Sequence, residues 1–262
     1  DTKTEASLAQ YNYPTMVRSA LIASLACSAA AFAPSQVGRA ASAVSETKAD
    51  LEAIAEKSNP VLKFYDPLEL SDTTIFGDTQ DATIGFLRQA EIKHGRVSMA
   101  AFVGYCLQSN GVHWPWPTST DGAPFPFEAG SPPEQWDALS NAAKWQIILF
   151  IGFLEWWSEA NGTHYMRGGV PGKFPEFIGP DSKIPHPIPF NLYDPFGFSK
   201  NRSEAAKADG LIKEINNGRL AMIGIIAFLQ EQKLEGSVPL LKGVVSHYDG
   251  EPMAPFGTFF SF

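Results

Sequence analysis

The chain has 262 residues, 44% of them hydrophobic and only 18% charged, with a formal net charge of −8. The charged share lies below the roughly 25% of an ordinary soluble domain, and an acidic chain with no Lys/Arg run excludes a nucleic-acid surface. Two cysteines, Cys27 and Cys106, exclude a disulfide framework, and neither a phosphate-binding glycine loop nor a zinc-type Cys/His spacing occurs.

In chain order, Met16-Val17-Arg18 precedes a small apolar run, Ala20 to Ala33, that ends in Ala31-Phe32-Ala33. A basic start, a short apolar stretch and small residues at the cut mark residues 1–33 as a targeting segment, with a mature structural helix as the alternative. Residues 34–60 are polar and read as a linker or surface helix. An aromatic turn-like segment starts at Phe64-Tyr65-Asp66-Pro67-Leu68, and the first long helix is expected over about 84–108. A Pro/Gly-rich loop with Trp114 and Trp116 separates it from a second helix over about 134–160, whose apolar centre is Trp145 to Leu154. Another Pro/Gly loop leads through Asn191-Leu192-Tyr193-Asp194-Pro195-Phe196-Gly197-Phe198 to a third helix over about 203–235. A short tail helix containing His247 is expected over about 238–248. Cys106 and the repeated Met99 and Met222 read as packing residues, and the six tryptophans as interfacial anchors.

None of the three long helices holds the ~20 clean apolar residues of an isolated span. The second and third are nonetheless apolar nearly all round at their centres, where a soluble surface helix would carry a polar stripe. No other amphipathic elements exist to cover them. The expected fold is therefore an all-α membrane protein with three transmembrane helices and long Gly/Pro-rich loops, covered by lipid and apolar cofactors.

Residues 91–99, EIKHGRVSM, and 214–222, EINNGRLAM, share one register: Glu91 with Glu214, Gly95 with Gly218, Arg96 with Arg219. Two like-directed copies imply a pseudo-two-fold axis between the first and third helices, and small residues at matched positions allow a close crossing. Glu and Arg five apart lie about 140° around one helix and cannot pair within it. Across the crossing they can exchange partners, Glu91 with Arg219 and Glu214 with Arg96. The plainer reading is that these are structural ion pairs and nothing more. The sharper one uses the remaining carboxylate oxygens, with His94 and Asn217 at i,i+3 from each Glu and so on the same face. A carboxylate already neutralised by arginine suits an ion whose charge is satisfied elsewhere, such as magnesium inside a chlorin ring. In another class altogether, Glu91-x-x-His94 is the ligand motif of a di-iron carboxylate enzyme, although the second copy reads Glu-x-x-Asn.

With EIKHGRVSM, EINNGRLAM and the upstream YDPFGF at 193–198, residues 60–257 resemble the chlorophyll-binding light-harvesting superfamily. QIILFIGFLE at 146–155 and YDGEPMAPF at 248–256 look more like the chlorophyll a/c antennas of red-lineage algae, of fucoxanthin or peridinin type, than the chlorophyll a/b antennas of plants. AFAP at 31–34 resembles the cleavage region of preproteins sent to secondary plastids. The resemblance implies a pigment-binding antenna domain over 61–262, integral to the plastid thylakoid membrane. It would bind chlorophyll a, chlorophyll c and a xanthophyll such as fucoxanthin, peridinin or diadinoxanthin, and would perform no catalysis. It implies magnesium ligands at Glu91, His94, Glu214 and Asn217, with Gln146 and Glu155 on the second helix and His247 in the tail; an interfacial surface role is the alternative for His247. A Gln or His is usual fourteen residues after Asn217, where this chain has Glu231 between Gln230 and Gln232. Glu231 would then bind directly or through water, or the site has shifted. The Asp66-Pro67 and Asp194-Pro195 turns would bracket the central carotenoids. Partners would be thylakoid lipids, neighbouring antenna subunits and a photosystem core, I favoured over II. A photoprotective, energy-dissipating member of the same superfamily is the alternative function.

Overall fold

The computed structural model describes residues 46–179, 182, 184, 188–198, 201–252 and 254–256. The expected targeting segment lies outside them. The described chain is all-α, with α1 at Lys48–Ser58, α2 at Gln80–Ser109, α3 at Pro132–Asp137, α4 at Asn141–Ala160 and α5 at Glu204–Lys233. No strand occurs among the described residues.

Each long helix starts where a hydroxyl can replace a missing backbone partner. Thr79 accepts from the Ala82 N–H, Ser140 from Ala143 and Ser203 from Ala206. The Thr79 cap starts the first long helix at Gln80, four residues before the expected start. The expected second helix is divided in two. Ser140 takes extended backbone (φ −62°, ψ 146°) to cap α4, while Lys144 Nζ donates to the Asp137 carbonyl at the end of α3. Part of the expected polar linker is helical as well: Thr47 and Asp50 form a capping box that starts α1.

α2 and α5 have 30 residues each, about 45 Å at 1.5 Å per residue. No described helix is both long and apolar enough to cross a membrane. The two meet at Gly95 and Gly218. A Cβ on Gly218 would lie 2.9 Å from the Gly95 Cα, and one on Gly95 would lie 3.1 Å from the Gly218 Cα. Only a pair of glycines fits this approach. Toward the C-terminal ends, Phe228 stacks on Phe102 and Tyr105 with centroids 5.0 and 4.9 Å apart. Met99 and Cys106 are buried there. Trp157 departs from the reading of tryptophan as an interfacial anchor: it is fully buried, stacked on Phe177 at 4.5 Å. The outward faces carry exposed apolar side chains, among them Val97, Leu149, Phe150, Leu220 and Ile223.

The two Asp-Pro turns share a hydrogen-bond pattern, although Asp194 is left-handed (φ 46°) and Asp66 is not. The Glu69 N–H donates to the Asp66 carbonyl, and the Leu70 N–H to Asp66 Oδ1. Likewise Gly197 donates to the Asp194 carbonyl and Phe198 to Asp194 Oδ1. The Ser71 N–H, also on Asp66, holds that carboxyl below its ordinary pKa. The fourth turn position is left-handed in both, φ 53° at Glu69 and 73° at Gly197. A non-glycine residue there costs about 1–2 kcal/mol, against about 0.5–1 kcal/mol of extra chain entropy for glycine. Glu69→Gly is therefore expected to stabilise the fold by about 0.5–1 kcal/mol, a rise of ~1–3 °C in the midpoint of thermal unfolding followed by circular dichroism. An unchanged or lower midpoint would contradict the reading.

Over 238–248 the structure has a succession of turns where a short helix was expected, with Leu241 N–H on the Val238 carbonyl and Val244 on Leu241. The left-handed Gly243 (φ 73°) breaks the helical path. The tail is tied to the helix ends instead. The Tyr248 hydroxyl donates to Asp137 Oδ2 at 2.6 Å and its N–H to the Gln232 carbonyl at 2.9 Å. Lys233 Nζ donates to the carbonyls of Asp249 and Gly250.

Candidate functional site

The crossing brings the two repeated stretches together, and the arginines exchange carboxylates across it. Arg96 Nε lies 2.5 Å from Glu214 Oε1. Arg219 Nε and Nη2 lie 2.8 and 2.7 Å from Glu91 Oε1. A void between the helices is lined by Glu91, Ile92, Gly95, Glu214, Ile215 and Gly218. Each arginine also holds a peripheral segment. Arg96 Nη1 donates to the Gly172 carbonyl at 2.5 Å, and the Gly172 N–H returns to Gln89 Oε1 at 2.6 Å. Arg219 Nη1 reaches Ser58 Oγ at 3.5 Å, and neighbouring Asn216 donates to the Ser58 carbonyl at 3.2 Å.

The two carboxylates differ in their second oxygen. Glu214 is buried, and its Oε2 has no hydrogen-bond partner. An orphaned carboxylate oxygen out of water costs about 1–3 kcal/mol or more, so this atom calls for a ligand. Its charge is already met by Arg96, which leaves a nearly neutral donor. Glu91 Oε2, in contrast, accepts from Arg88 Nη1. Arg88 is a site residue that the sequence reading missed, although its i,i+3 spacing from Glu91 is the pattern of a helical ion pair. It is buried, and its Nε donates to Glu46 Oε2 at 3.0 Å.

His94 is exposed on α2, with Nδ1 2.7 Å from the Ala90 carbonyl. A carbonyl only accepts, so this contact assigns the proton to Nδ1 and leaves the Nε2 lone pair outward, as a metal ligand requires. Asn217 is half-buried, one helical turn from Glu214. Glu91, Glu214, Arg96 and Arg219 thus form one group at the crossing, while His94 and Asn217 each lie one helical turn along from their own glutamate.

The other expected ligands lie apart from it. Gln146 is exposed on α4. Glu155, also exposed on α4, is ion-paired with Lys93, which further donates to Ser158 Oγ at 3.2 Å and links α4 to α2. His247 Nε2 lies 2.9 Å from Asp249 Oδ1. Glu231 is engaged by the backbone that follows α5. It is fully buried, Oε1 accepts from the Gly236 N–H at 2.8 Å, and Oε2 accepts from the Val238 N–H at 2.8 Å. Both oxygens hold the turn that follows α5. Of its neighbours, Gln230 is exposed, while Gln232 is buried and takes the Tyr105 hydroxyl on Oε1 at 3.2 Å. Among the described residues no three His, Cys, Asp or Glu side chains converge on a point that could hold a free metal ion.

Residues 48–233 match the family described as Chlorophyll A-B binding protein. The chain is 35% identical over 218 residues, 82% of its length and 95% of the relative's, to fucoxanthin-chlorophyll a-c binding protein F, chloroplastic, of Phaeodactylum tricornutum. It is 33% identical to a fucoxanthin-chlorophyll a-c binding protein of Trieres chinensis, over 85% of this chain and 97% of that one. Against fucoxanthin-chlorophyll a-c binding protein B of Macrocystis pyrifera the identity is 31%, over 87% of this chain and 97% of that one. The family match takes in α1 through α5 and both halves of the arginine–glutamate crossing, and the chain belongs to the chlorophyll A-B binding protein family.

Proposed function

We propose that this chain is a light-harvesting antenna, integral to the plastid thylakoid membrane, that binds chlorophyll a, chlorophyll c and a fucoxanthin-type carotenoid. The observation that carries the reading is Glu214 Oε2, a buried oxygen without a partner on a carboxylate whose charge Arg96 has met. Bound chlorophyll supplies the light absorption and the excitation transfer. The protein's part is to fix position and orientation and to keep water out. Glu214 presents a free oxygen, Oε2, and Glu91 a neutralised carboxylate whose Oε2 accepts from Arg88 alone and keeps a lone pair; His94 presents Nε2 and Asn217 an amide oxygen one turn further along. Gln146, Glu155 and His247 are the proposed peripheral ligands, with Glu155 paired to Lys93, which also lies 3.6 Å from Glu159. Glu231 is left out of the ligand set.

α2, α4 and α5 are the proposed membrane spans. Among the charges that lower their hydropathy, those at the crossing and at the Lys93–Glu155 link are paired. Lipid and pigment cover the outward apolar faces at Val97, Leu149, Phe150, Leu220 and Ile223. The exposed Leu68, Phe196 and Phe198 at the two Asp-Pro turns are the proposed carotenoid contacts. Excitation passes to neighbouring antenna subunits and to a photosystem core, I favoured over II.

Two tests follow. Light absorbed by the carotenoid should emerge as chlorophyll a fluorescence from the purified protein, and an excitation spectrum without a carotenoid band would contradict the antenna role. Glu231→Ala should lower the thermal midpoint, by about 1–3 kcal/mol of lost hydrogen bonding to the 236–238 turn, and leave the chlorophyll count unchanged. Loss of one chlorophyll would return Glu231 to the ligand set.

A further inference from the structure

The two glutamates of the repeat are not equivalent: Arg88 of α2 makes them differ, and the flanks of α1 hold the arginines around only one of them. Glu91 touches two guanidiniums, Arg219 on Oε1 and Arg88 on Oε2, whereas Glu214 touches only Arg96. The register explains this: three residues before Glu91 stands Arg88, and three before Glu214 stands Leu211. Arg88 would leave the Glu91 cluster one positive charge in excess. Glu46 restores the balance, with its carboxylate on Arg88 Nε at 3.0 Å and both side chains largely buried, 5% and 18% exposed. Glu46 immediately precedes Thr47, the N-cap of α1. Ser58, the last residue of α1, meets Arg219 through Oγ and Asn216 through its carbonyl. Both ends of α1 therefore rest on the two arginines that hold Glu91. Arg96, on the Glu214 side, takes the Gly172 carbonyl instead and has no contact of this kind with α1.

We propose that α1 is a strap that sets the donor strength of Glu91 alone, with Glu46 as its positioning residue. The inference rests on the proposed antenna function. With Glu46 in place, two carboxylates meet two guanidiniums and Glu91 faces its pigment as a neutral ligand. Without it, Glu91 sits in a net positive cluster, its electron density is drawn to Arg88 and Arg219, and it is a weaker donor to magnesium. Glu214, balanced by Arg96, does not feel the change. The strap thus makes occupancy of one of two pseudo-symmetric pigment sites depend on the segment that enters the domain.

The test is reconstitution of the full chain with a total extract of chlorophyll a, chlorophyll c and carotenoid, comparing wild type, Glu46→Gln, Arg88→Gln and the Glu46→Gln/Arg88→Gln double variant. Pigment stoichiometry and visible circular dichroism are the readouts. Glu46→Gln is expected to lose about one chlorophyll per chain and its dichroism band. The double variant, in which only Glu91 and Arg219 remain and the charge balances again, is expected to regain both. A passive strap would predict the reverse, because the double variant removes both halves of the anchor. Full pigment in Glu46→Gln, or a double variant no better than Glu46→Gln, overturns the proposal, as does collapse of both. Wild-type chain that takes up no chlorophyll would refute the antenna reading itself, a result distinct from any of these.

Discussion

Arg96→Leu is expected to lose the chlorophyll held on Glu214 and to destabilise the protein by on the order of 3 kcal/mol. The substitution removes three things at once. It leaves Glu214, whose side chain is 9% exposed, as a buried carboxylate with no counter-charge. It leaves the Gly172 carbonyl without its donor, so that the loop after α4 is held there by the Gly172 N–H on Gln89 Oε1 alone. It also turns a neutral ligand into a bare anion beside an apolar ring. The leucine keeps most of the side chain's volume, so the loss reports charge and hydrogen bonding more than packing. Arg96→Lys should recover part of the stability, because the charge returns, but not the fork that serves Glu214 and Gly172 together. Chlorophyll per chain and thermal midpoint after reconstitution are the measurements. Unchanged stoichiometry in Arg96→Leu would contradict the ligand role of Glu214.

Gly218→Leu should have a larger effect still and prevent assembly of the crossing. Already for alanine, the added Cβ lies 2.9 Å from the Gly95 Cα, which is backbone and cannot swing aside. Helix propensity alone would favour alanine over glycine by about 1 kcal/mol, so any destabilisation by Gly218→Ala measures the steric cost. Overpacking of this kind costs about 1–3 kcal/mol for a methyl group, and leucine adds three more carbons at the same point. Forced apart, the helices also lengthen the Arg96–Glu214 and Arg219–Glu91 pairs. Gly218→Ala is expected to fold with a lowered midpoint, and Gly218→Leu to yield no pigment-bearing complex. A Gly218→Leu protein with wild-type pigment content would show that the helices do not meet at these glycines.

Much of the site was legible in the sequence because its logic is a repeat. Two copies of Glu, Gly and Arg in one register dictate both the reciprocal pairs and the glycine contact. What could not be read depends on contacts far along the chain. Arg88 is visible at i,i+3 from Glu91, but its second partner, Glu46, lies 42 residues away. Glu231 occupies a ligand's position by count. Its use by the 236–238 backbone depends on a tight turn that the helical reading of the tail concealed. The break before α4 is a local contest that Ser140 wins by capping, although Leu139 and the residues around it would tolerate a continuous helix. Trp157 looks like its neighbour Trp156 in sequence, yet one is buried on Phe177 and the other is exposed. Burial of one of two adjacent aromatic residues is set by the loop that returns over α4, and no local pattern records it.

The most direct test of the account is an absorption spectrum and pigment extraction of the purified chain. The arrangement of neutralised glutamates predicts a coloured protein that yields chlorophyll a, chlorophyll c and carotenoid. Glu214→Leu should then be short of one chlorophyll. A colourless preparation that carries iron, or a Glu214→Leu variant with the full pigment complement, would contradict it.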